Sequence, residues 1–484
     1  MSVSYSLKQL FQDLSNGSFN CLSLNLETNG HRIAALQMEL HGNNDRNLLD
    51  DKAIETLVDS QSFRFHGKKD WTRFNIMVAS YLQYCRDVNP WSISESYDVI
   101  FIFYSNLINC LLNDSYSIDA MVSVSQENTE YVIPIAIKLD NNYMMLGTRK
   151  NQFLSHTSSI ISKLFNSIKP SRSLDGETIQ ASPRFDQLPE KQRILLYLVN
   201  KLNNIYFRIR SPQLCSNIFK NFRPKSMVSK FSDYPVKEQI EYRYLLGRYY
   251  LLNNKVIDAF TQLNVAFRML SIVGETLRLS LDGTPQLKRN LLRILKYLVP
   301  AGLIIGKLPR FWIIDSIDRE LADVYSVVAR HVRSGNIKGL NLWLQTHETK
   351  LREDHLLLIL LEKLPMLTYR YLIRAVVQQW TIPQNTSRIP YQIVEQTLRL
   401  SIRADASTVS HTKPTIYNNI HTPDSAENIL VTLINLNFLR SNCFPLLKTC
   451  VIKKTRDIGE VFPSIDEKIV SMFPLNSEDT WIDL

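Results

Sequence analysis

The sequence predicts an all-α fold with a small β-wing, in which tetratricopeptide-like helical repeats are followed by a C-terminal winged helix. Two observations carry this prediction. The stretch from Tyr242 to Phe267 has the spacing of a packed helix pair, and the part after Met366 has three helical segments followed by two short stretches rich in β-formers. At 484 residues the chain is also longer than one ordinary hydrophobic core, so we expect two or three domains.

Composition and charge limit the possible classes of protein. An apolar content of 45% with 21% charged residues indicates a folded chain. The net charge of +10 favours acidic partners, either nucleic acid or a polyanionic protein. The first residues lack a signal-peptide pattern and the longest apolar runs are too short to span a bilayer. These observations predict a soluble intracellular protein with no membrane partner.

The N-terminal helical region is expected over residues 1–169. Its first helix is amphipathic, because Leu7, Leu10, Phe11 and Leu14 recur at helical spacing. Residues 170–190 are rich in Ser, Pro, Asp and Gly, a composition typical of an exposed linker. We therefore place the main domain boundary in that linker.

The helical repeats are predicted over residues 191–364. In the Tyr242–Phe267 pair the small residues Gly247 and Ala259 allow two antiparallel helices to approach closely, and Leu263 fills the gap between them. The other expected helical segments of this part begin at Lys191 and then cover Gln286–Gly306, Ile314–Arg333, Ile337–Thr346 and His355–Leu364. A scaffold of this kind serves binding rather than catalysis.

The winged helix is predicted over residues 365–460, followed by a tail over 461–484. Its three helices are expected at Thr368–Trp380, Tyr391–Ile402 and Ser425–Leu439. The next two stretches can pair as a hairpin around Pro445. Trp380 is predicted to lie in the core of this module, with partner contacts carried by the wing and by the Leu364–Met366 junction.

The sequence predicts no active site and no cofactor or metal site. The six cysteines form no CxxC pair, the histidines lack metal-ligand spacing, and no phosphate-binding glycine loop is present. The cysteines are expected to be reduced and mostly buried. Four carboxylates fall at helical spacing, and there a solvated acidic face is favoured over a catalytic pair because no nucleophile accompanies them. They are Asp315, Asp318, Glu320 and Asp323.

A first basic cluster, without any acidic residue, covers positions 201–230. Its cations are Lys201, Arg208, Arg210, Lys220, Arg223, Lys225 and Lys230, interleaved with Tyr206, Phe207, Phe219, Phe222 and Phe231. Basic heads with apolar grooves suit an acidic disordered ligand. The candidate partner-binding residues are Arg208, Arg210, Lys220, Arg223 and Lys225. The alternative is a solvated face whose aromatics belong to the core.

A second basic cluster follows the winged helix. The candidate nucleic-acid-binding residues are Arg399, Arg403, Arg440, Lys448, Lys453, Lys454 and Arg456. The third helix, which would enter a major groove, has no Arg or Lys before Arg440, so base reading is not expected. Wing cations can still bind phosphates of RNA or DNA without sequence preference. The alternative is that they only solvate the hairpin.

Helical repeats that run directly into a winged helix resemble the PCI domain. Six stretches also resemble the fungal Thp-type PCI subunits of the nuclear transcription-and-export complex 2: residues 21–40, 84–92, 191–227, 241–254, 357–373 and 427–445. The resemblance implies a non-enzymatic subunit that pairs with a large PCI-containing scaffold protein and with a small acidic disordered subunit shared with the proteasome lid. It also implies a place in the nucleus, at the nuclear envelope by the pore, a link between transcription and mRNA export, and support of genome stability in transcribed regions.

Three classes of function therefore compete. The favoured one is an assembly scaffold that presents a nucleic-acid surface. The second is a PCI subunit that acts in protein assembly alone, as in signalosome-associated complexes. A sequence-specific transcription factor is the third, and it would need a basic recognition helix that this chain lacks.

Overall fold

The fold is described from a computed structural model of the chain. It covers residues 5–42, 48–61, 63, 72–92, 94–112, 120–145, 150–170, 185–277, 284–381, 383–402, 425–454, 457–465 and 480–483. Contacts between backbone positions divide the chain into two compact units, Met1–Glu238 and Gln239–Asp483. Most of the expected 170–190 linker lies outside the described residues, and the domain limits given above stay predictions.

The first unit is all-helical. Its main helices are α1 (Leu7–Ser15), α2 (Leu26–Gly42), α3 (Asp51–Asp59), α4 (Thr72–Asp87), α5 (Tyr97–Leu111), α6 (Ala120–Met145), α7 (Gln152–Ser167), α8 (Glu190–Arg193), α9 (Leu195–Arg208) and α10 (Cys215–Lys225). The predicted amphipathic first helix is confirmed, because Leu7, Leu10, Phe11 and Leu14 are all buried. Ser6 begins it by accepting a hydrogen bond from the Gln9 amide.

The second unit continues with helices and adds three short strands. Its helices are α11 (Val236–Leu252), α12 (Val256–Thr276), α13 (Pro285–Ile304), α14 (Phe311–Ile317), α15 (Arg319–Ser334), α16 (Ile337–Thr346), α17 (Glu348–Glu353), α18 (Leu357–Val376), α19 (Tyr391–Ile402), α20 (Ser425–Asn435), α21 (Ile458–Val461) and α22 (Thr480–Asp483). The strands are β1 (Arg388–Pro390), β2 (Ser441–Phe444) and β3 (Thr449–Ile452).

The close helix pair predicted from small residues is present in α11 and α12. Ala259 and Leu263 are fully buried, and a β-carbon built on Gly247 would lie 2.6 Å from the Leu263 Cγ. Asn254 turns the chain between the two helices with a φ of 61°. Among the described residues, α12 is the one helix whose length and composition would allow a membrane span. In this structure α12 packs along α13.

Two expected helix boundaries are wrong. The segments His355–Leu364 and Thr368–Trp380 fall mostly in one continuous helix, α18, which has Pro365 inside it and continues into the π-helical turn Val377–Thr381. Packing of α18 against α13, α15 and α16 offsets the backbone hydrogen bond that Pro365 cannot donate. The segment Ile314–Arg333 is instead broken at Asp318, whose carboxylate accepts a hydrogen bond from the Leu321 amide and so begins α15.

The winged helix is built from α18, α19, α20 and a three-stranded antiparallel sheet of order β1-β3-β2. The hairpin predicted around Pro445 is confirmed as the β2–β3 pair, with Phe444 opposite Thr449 at its end. The sequence did not predict β1, which pairs with β3 through Ile389 opposite Cys450. β1 is an edge strand, where the missing amide of Pro390 costs no internal ladder bond.

A serine joins the winged helix to the preceding repeats. The Ser401 hydroxyl, at the end of α19, donates a hydrogen bond to the Gly335 carbonyl and accepts one from the Ile337 amide. Gly335 ends α15 with a φ of 69°, and a β-carbon there would lie 2.8 Å from the Leu372 Cα on α18. This glycine and this hydroxyl therefore fix how α19 sits against the end of the repeats.

Candidate nucleic-acid and partner interfaces

The β2–β3 hairpin carries exposed cations at both of its ends. Arg440 directly precedes β2 and Lys454 follows β3, so both lie at the base of the hairpin. Lys448 lies at the tip with a φ of 48°. Four extended residues separate base and tip, which corresponds to about 13 Å. Such spacing can reach phosphates at separate positions along one nucleic-acid strand.

The remaining residues of this predicted cluster have different surroundings. Lys453 forms an ion pair with Glu460 at 2.6 Å. The hairpin sequence alone does not indicate this pair, because Glu460 lies beyond the hairpin. Arg399 is exposed on α19. Arg403 and Arg456 lie outside the described residues. The exposed cations at the described part of the wing are therefore Arg440, Lys448 and Lys454, with Lys453 locally neutralised.

Arg370, on α18 of the winged helix, has a structural role. Its guanidinium is buried, donates a hydrogen bond to the Pro463 carbonyl at 2.9 Å, and lies 5.8 Å from the centre of the Phe462 ring. Burial lowers the pKa of Arg370. This side chain fastens the segment after α21 to α18 and is not exposed to a phosphate.

The tip of the wing is apolar, a feature that the sequence analysis missed. Leu446 is 100% exposed, Leu447 69% and Phe444 44%. Hairpin turns are usually polar, so a Pro-Leu-Leu turn was the signal that could have pointed to this surface. We call Phe444, Leu446 and Leu447 the apolar tip. An exposed apolar cluster next to a lysine is typical of an interaction surface.

Trp380 does not lie in the core, contrary to the prediction. It lies in the π-helical turn Val377–Thr381 that ends α18, and it is 37% exposed. The junction residue Leu364, by contrast, is fully buried inside α18. The wider turn displaces the indole from the buried side of the helix, where Ile373 and Val377 lie. The prediction from periodicity failed here because it assumes a regular α-helix. Part of the Trp380 side chain is therefore available for contact.

The helix that would read bases is poorly suited to this task. α20 contains Glu427 and no Lys or Arg in its eleven residues. Arg440 comes five residues after its end. The arrangement therefore supports contacts to phosphates and not to base edges.

The first basic cluster lies on α9, α10 and the turn between them. Arg208, Arg210, Lys220, Arg223 and Lys230 are exposed. Four of the five interleaved aromatics, Tyr206, Phe207, Phe222 and Phe231, are buried. These four aromatics therefore belong to the core, as the alternative interpretation states, and the exposed feature is a band of positive charge.

Two lysines of this cluster are already engaged. Lys225 donates hydrogen bonds to the carbonyls of Asn166 (3.1 Å) and Ile168 (2.8 Å), and burial lowers its pKa. Its ammonium also lies 5.2 Å from the centre of the Phe165 ring. Lys201 forms an ion pair with Glu130 at 2.6 Å. Lys225 thus fastens the end of α10 to the end of α7.

The described residues contain no group of three or more His, Cys, Asp or Glu side chains that could hold a metal ion. His347 lies against the Trp343 ring at 4.9 Å, and its Nδ1 lies 2.9 Å from the Trp343 carbonyl. The carboxylates expected on one helix are split, because Asp318 separates α14 from α15 and acts as a helix cap. Glu320 forms an ion pair with Lys350.

Comparison with curated proteins identifies relatives along nearly the whole chain, although no protein-family model matches it. The nuclear mRNA export protein THP1 of Saccharomyces cerevisiae is 49% identical over 476 residues, which cover 98% of this chain and 99% of the relative. PCI domain-containing protein 2 homolog of Dictyostelium discoideum is 26% identical over 59% of this chain and 65% of the relative. Protein CSN12 homolog of Schizosaccharomyces pombe is 25% identical over 42% of this chain and 44% of the relative. With helical repeats, a winged helix and this near full-length similarity, the chain belongs to the family of PCI-domain proteins that includes yeast THP1.

Proposed function

We propose that this chain is a non-enzymatic scaffold subunit of a nuclear complex that couples transcription to mRNA export at the nuclear pore. The observation that carries the proposal is the 49% identity to a nuclear mRNA export protein over 98% of the chain. Similarity of this extent includes the N-terminal helices, the repeats and the winged helix alike. It therefore supports transfer of the role of the whole protein, and not of one shared module.

In this role the wing binds RNA or DNA without sequence preference. Its exposed cations lie about 13 Å apart at the base and at the tip of the hairpin, while α20 supplies no basic side chain for base reading. Phosphate contacts of this kind accept any transcript, which an export factor requires. The binding free energy then comes largely from counterion release and depends on salt.

Two protein partners complete the proposal. The positive band of Arg208, Arg210, Lys220 and Arg223 attracts the small acidic disordered subunit by long-range charge. The large PCI-containing scaffold contacts the apolar tip of the wing, where exposed leucines can be desolvated by a partner surface. Charge therefore governs the first association, and apolar burial governs the second.

The test of nucleic-acid binding compares two triple variants with the same change in net charge. Arg440, Lys448 and Lys454 are changed to Ala in one, and the exposed Lys237, Arg268 and Arg289 in the other. With single-stranded RNA, the slope of log K against log salt should shrink by about 2 in the wing variant, since each lost phosphate contact removes about 0.7. It should stay unchanged in the control variant. Equal slopes in both would refute phosphate binding by the wing.

The acidic partner is tested through its association rate. Reversal of Arg208, Arg210, Lys220 and Arg223 to Glu should slow association and reduce the dependence of the rate on salt. The matched control reverses Lys237, Arg268, Arg289 and Lys338, which are exposed and lie outside this cluster. A rate that falls equally in both variants would indicate an effect of net charge and not of this band.

The second candidate function is that of a PCI subunit acting in protein assembly alone, in a signalosome-associated complex. Two observations favour it: the wing tip exposes Phe444, Leu446 and Leu447 beside Lys448, and CSN12 homologs are among the relatives. In that case the wing would contact protein only. The salt slope for RNA would then be the same in the unchanged chain and in the wing variant.

A further inference from the structure

Two cysteines face each other across the β2–β3 hairpin of the wing. Cys443 on β2 is the direct partner of Cys450 on β3, between the pairs Asn442–Val451 and Phe444–Thr449. Directly opposite residues of an antiparallel pair project their side chains from the same face of the sheet. The two thiols are therefore neighbours through the strand register, although seven positions separate them in the sequence.

The register suits a covalent link. Opposite residues in antiparallel strands have α-carbons about 4.5–5.5 Å apart, within the range of about 4.4–6.8 Å in which disulfides form. The β-carbons need only a small approach to reach disulfide distance. No rearrangement of the hairpin is required, because both strands keep their pairing.

The two thiols differ in access. Cys450 is fully buried on the central strand, with Ile389 of β1 on its other side. Cys443 lies on the edge strand and is half-buried, whereas the other five cysteines of the chain are buried. A reagent from solvent therefore reaches Cys443 first, and Cys450 stands behind it.

The surroundings of Cys443 favour its thiolate. The neighbouring Cys450 thiol, and with it the Tyr391 hydroxyl, lower the pKa of Cys443 to about 7 against the opposing effect of burial. The same hydrogen bond and burial raise the pKa of Cys450. An accessible thiol of low pKa beside a second cysteine is the arrangement of redox-sensing sites.

We propose that Cys443 is a peroxide-reactive thiol and that Cys450 is its resolving partner, so that the wing of this protein closes a reversible disulfide under oxidation. In the first step the Cys443 thiolate attacks one oxygen of hydrogen peroxide, the O–O bond breaks, and the leaving hydroxide takes up the proton that the Cys443 thiol released and departs as water. The product is a sulfenic acid on Cys443. In the second step the Cys450 sulfur attacks the Cys443 sulfur, hydroxide leaves and takes up the Cys450 proton as water. With hydrogen peroxide, two thiols and one peroxide become one disulfide and two waters.

The bond would link the edge strand to the central strand of the sheet just before the apolar tip. It would restrict the relative movement of β2 and β3, which pair in antiparallel fashion at this position. Thiol reductants reopen a disulfide by exchange through the accessible sulfur. The disulfide is therefore reversible, and its formation and reduction change the rigidity of the wing.

The experiment uses the full-length chain treated with hydrogen peroxide, alkylated without reduction and digested with trypsin. Cleavage after Arg440, Lys448 and Lys453 places the two cysteines in separate peptides, Ser441–Lys448 and Thr449–Lys453. We expect these two peptides joined with the loss of two hydrogens, and separated again by dithiothreitol. Recovery of Cys443 as sulfinic acid with Cys450 still alkylatable only after unfolding would overturn the proposal.

Two variants assign the roles of the thiols. Cys443→Ser should abolish the reaction of the wing with peroxide, and because this side chain is half-exposed the fold should be kept. Cys450→Ser should leave a sulfenic acid on Cys443 that a cyclic diketone probe traps. Since Cys450 is buried and its variant can destabilise the sheet, the cross-linked peptide pair of the unchanged chain is the deciding measurement. Cross-links that join Cys443 to any other cysteine would contradict the resolving role of Cys450.

Discussion

The side chain of Leu263 occupies the space that a β-carbon on Gly247 would need. The built Cβ lies 2.6 Å from the Leu263 Cγ and 3.3 Å from the Ala259 carbonyl oxygen. The contact joins α11 to α12 over a distance that only glycine allows. The spacing between α11 and α12 at this contact therefore depends on the absence of a side chain at position 247.

Gly247→Ala should consequently destabilise the protein. Overpacking of this kind costs about 1–3 kcal/mol, more than the helix propensity gained from alanine. The control is Gly30→Ala on α2, where nothing lies within 4 Å of the added Cβ, and which should stabilise by about 0.5–1 kcal/mol. Urea denaturation of the full chain measures both. Equal effects of the two substitutions would contradict the close approach.

Lys225 should matter for stability more than its basic neighbours. Lys225→Ala removes hydrogen bonds to the carbonyls of Asn166 and Ile168, and we expect a loss of about 1 kcal/mol in the free energy of unfolding. Lys230→Ala, at an exposed position, should change it by less than about 0.5 kcal/mol. Thermal denaturation separates the two outcomes, and no difference between them would mean that Lys225 is only a surface charge.

The ion pair of Lys453 with Glu460 predicts unequal contributions from two adjacent lysines. Lys454→Ala should weaken RNA binding more than Lys453→Ala, because Glu460 partly neutralises Lys453 and no such pair involves Lys454 in the described part of the wing. Glu460→Gln should strengthen binding, since it removes a negative charge and releases Lys453. Titration at fixed low salt compares the three variants. A weaker complex with Glu460→Gln would contradict the proposed contact.

Two tryptophans of the same unit should respond differently to truncation. Trp343 is 4% exposed and its Nε1 donates a hydrogen bond to the Val324 carbonyl, so Trp343→Ala should cost about 3–5 kcal/mol. Trp380 is 37% exposed, so Trp380→Ala should cost clearly less. Melting temperatures of the isolated chain test this order. A larger loss of melting temperature in Trp380→Ala than in Trp343→Ala would instead indicate that Trp380 is a core residue.

The apolar tip should serve association rather than folding. Leu446→Ser combined with Leu447→Ser should leave the free energy of unfolding within about 0.5 kcal/mol of the unchanged chain, because both side chains are exposed. The same double variant should lose the large PCI-containing partner on co-purification. Retention of that partner at unchanged yield would place its contact elsewhere on the chain.

Local sequence signals predicted the elements whose formation depends on neighbours along the chain. Helical spacing located the α11–α12 pair, and β-formers on both sides of Pro445 located the hairpin. The glycine at position 247 indicated that two helices lie close together, because the contact involves only the next helix along the chain, α12. The basic stretches could likewise be read from composition, together with the lack of cations in α20.

Tertiary structure alone decided the features that join distant segments. β1 is a strand because β3, some sixty positions later, supplies its partners, and Arg388–Pro390 has no strong strand pattern of its own. Exposure also depends on packing. Trp380 is partly exposed to solvent and Leu446 is fully exposed, whereas Lys225 donates hydrogen bonds to two carbonyls at the end of α7. Sequence periodicity thus determines which segments become helices or strands, since those interactions are local. Which cations stay exposed and which thiols face each other is determined only when the folded chain brings remote residues together.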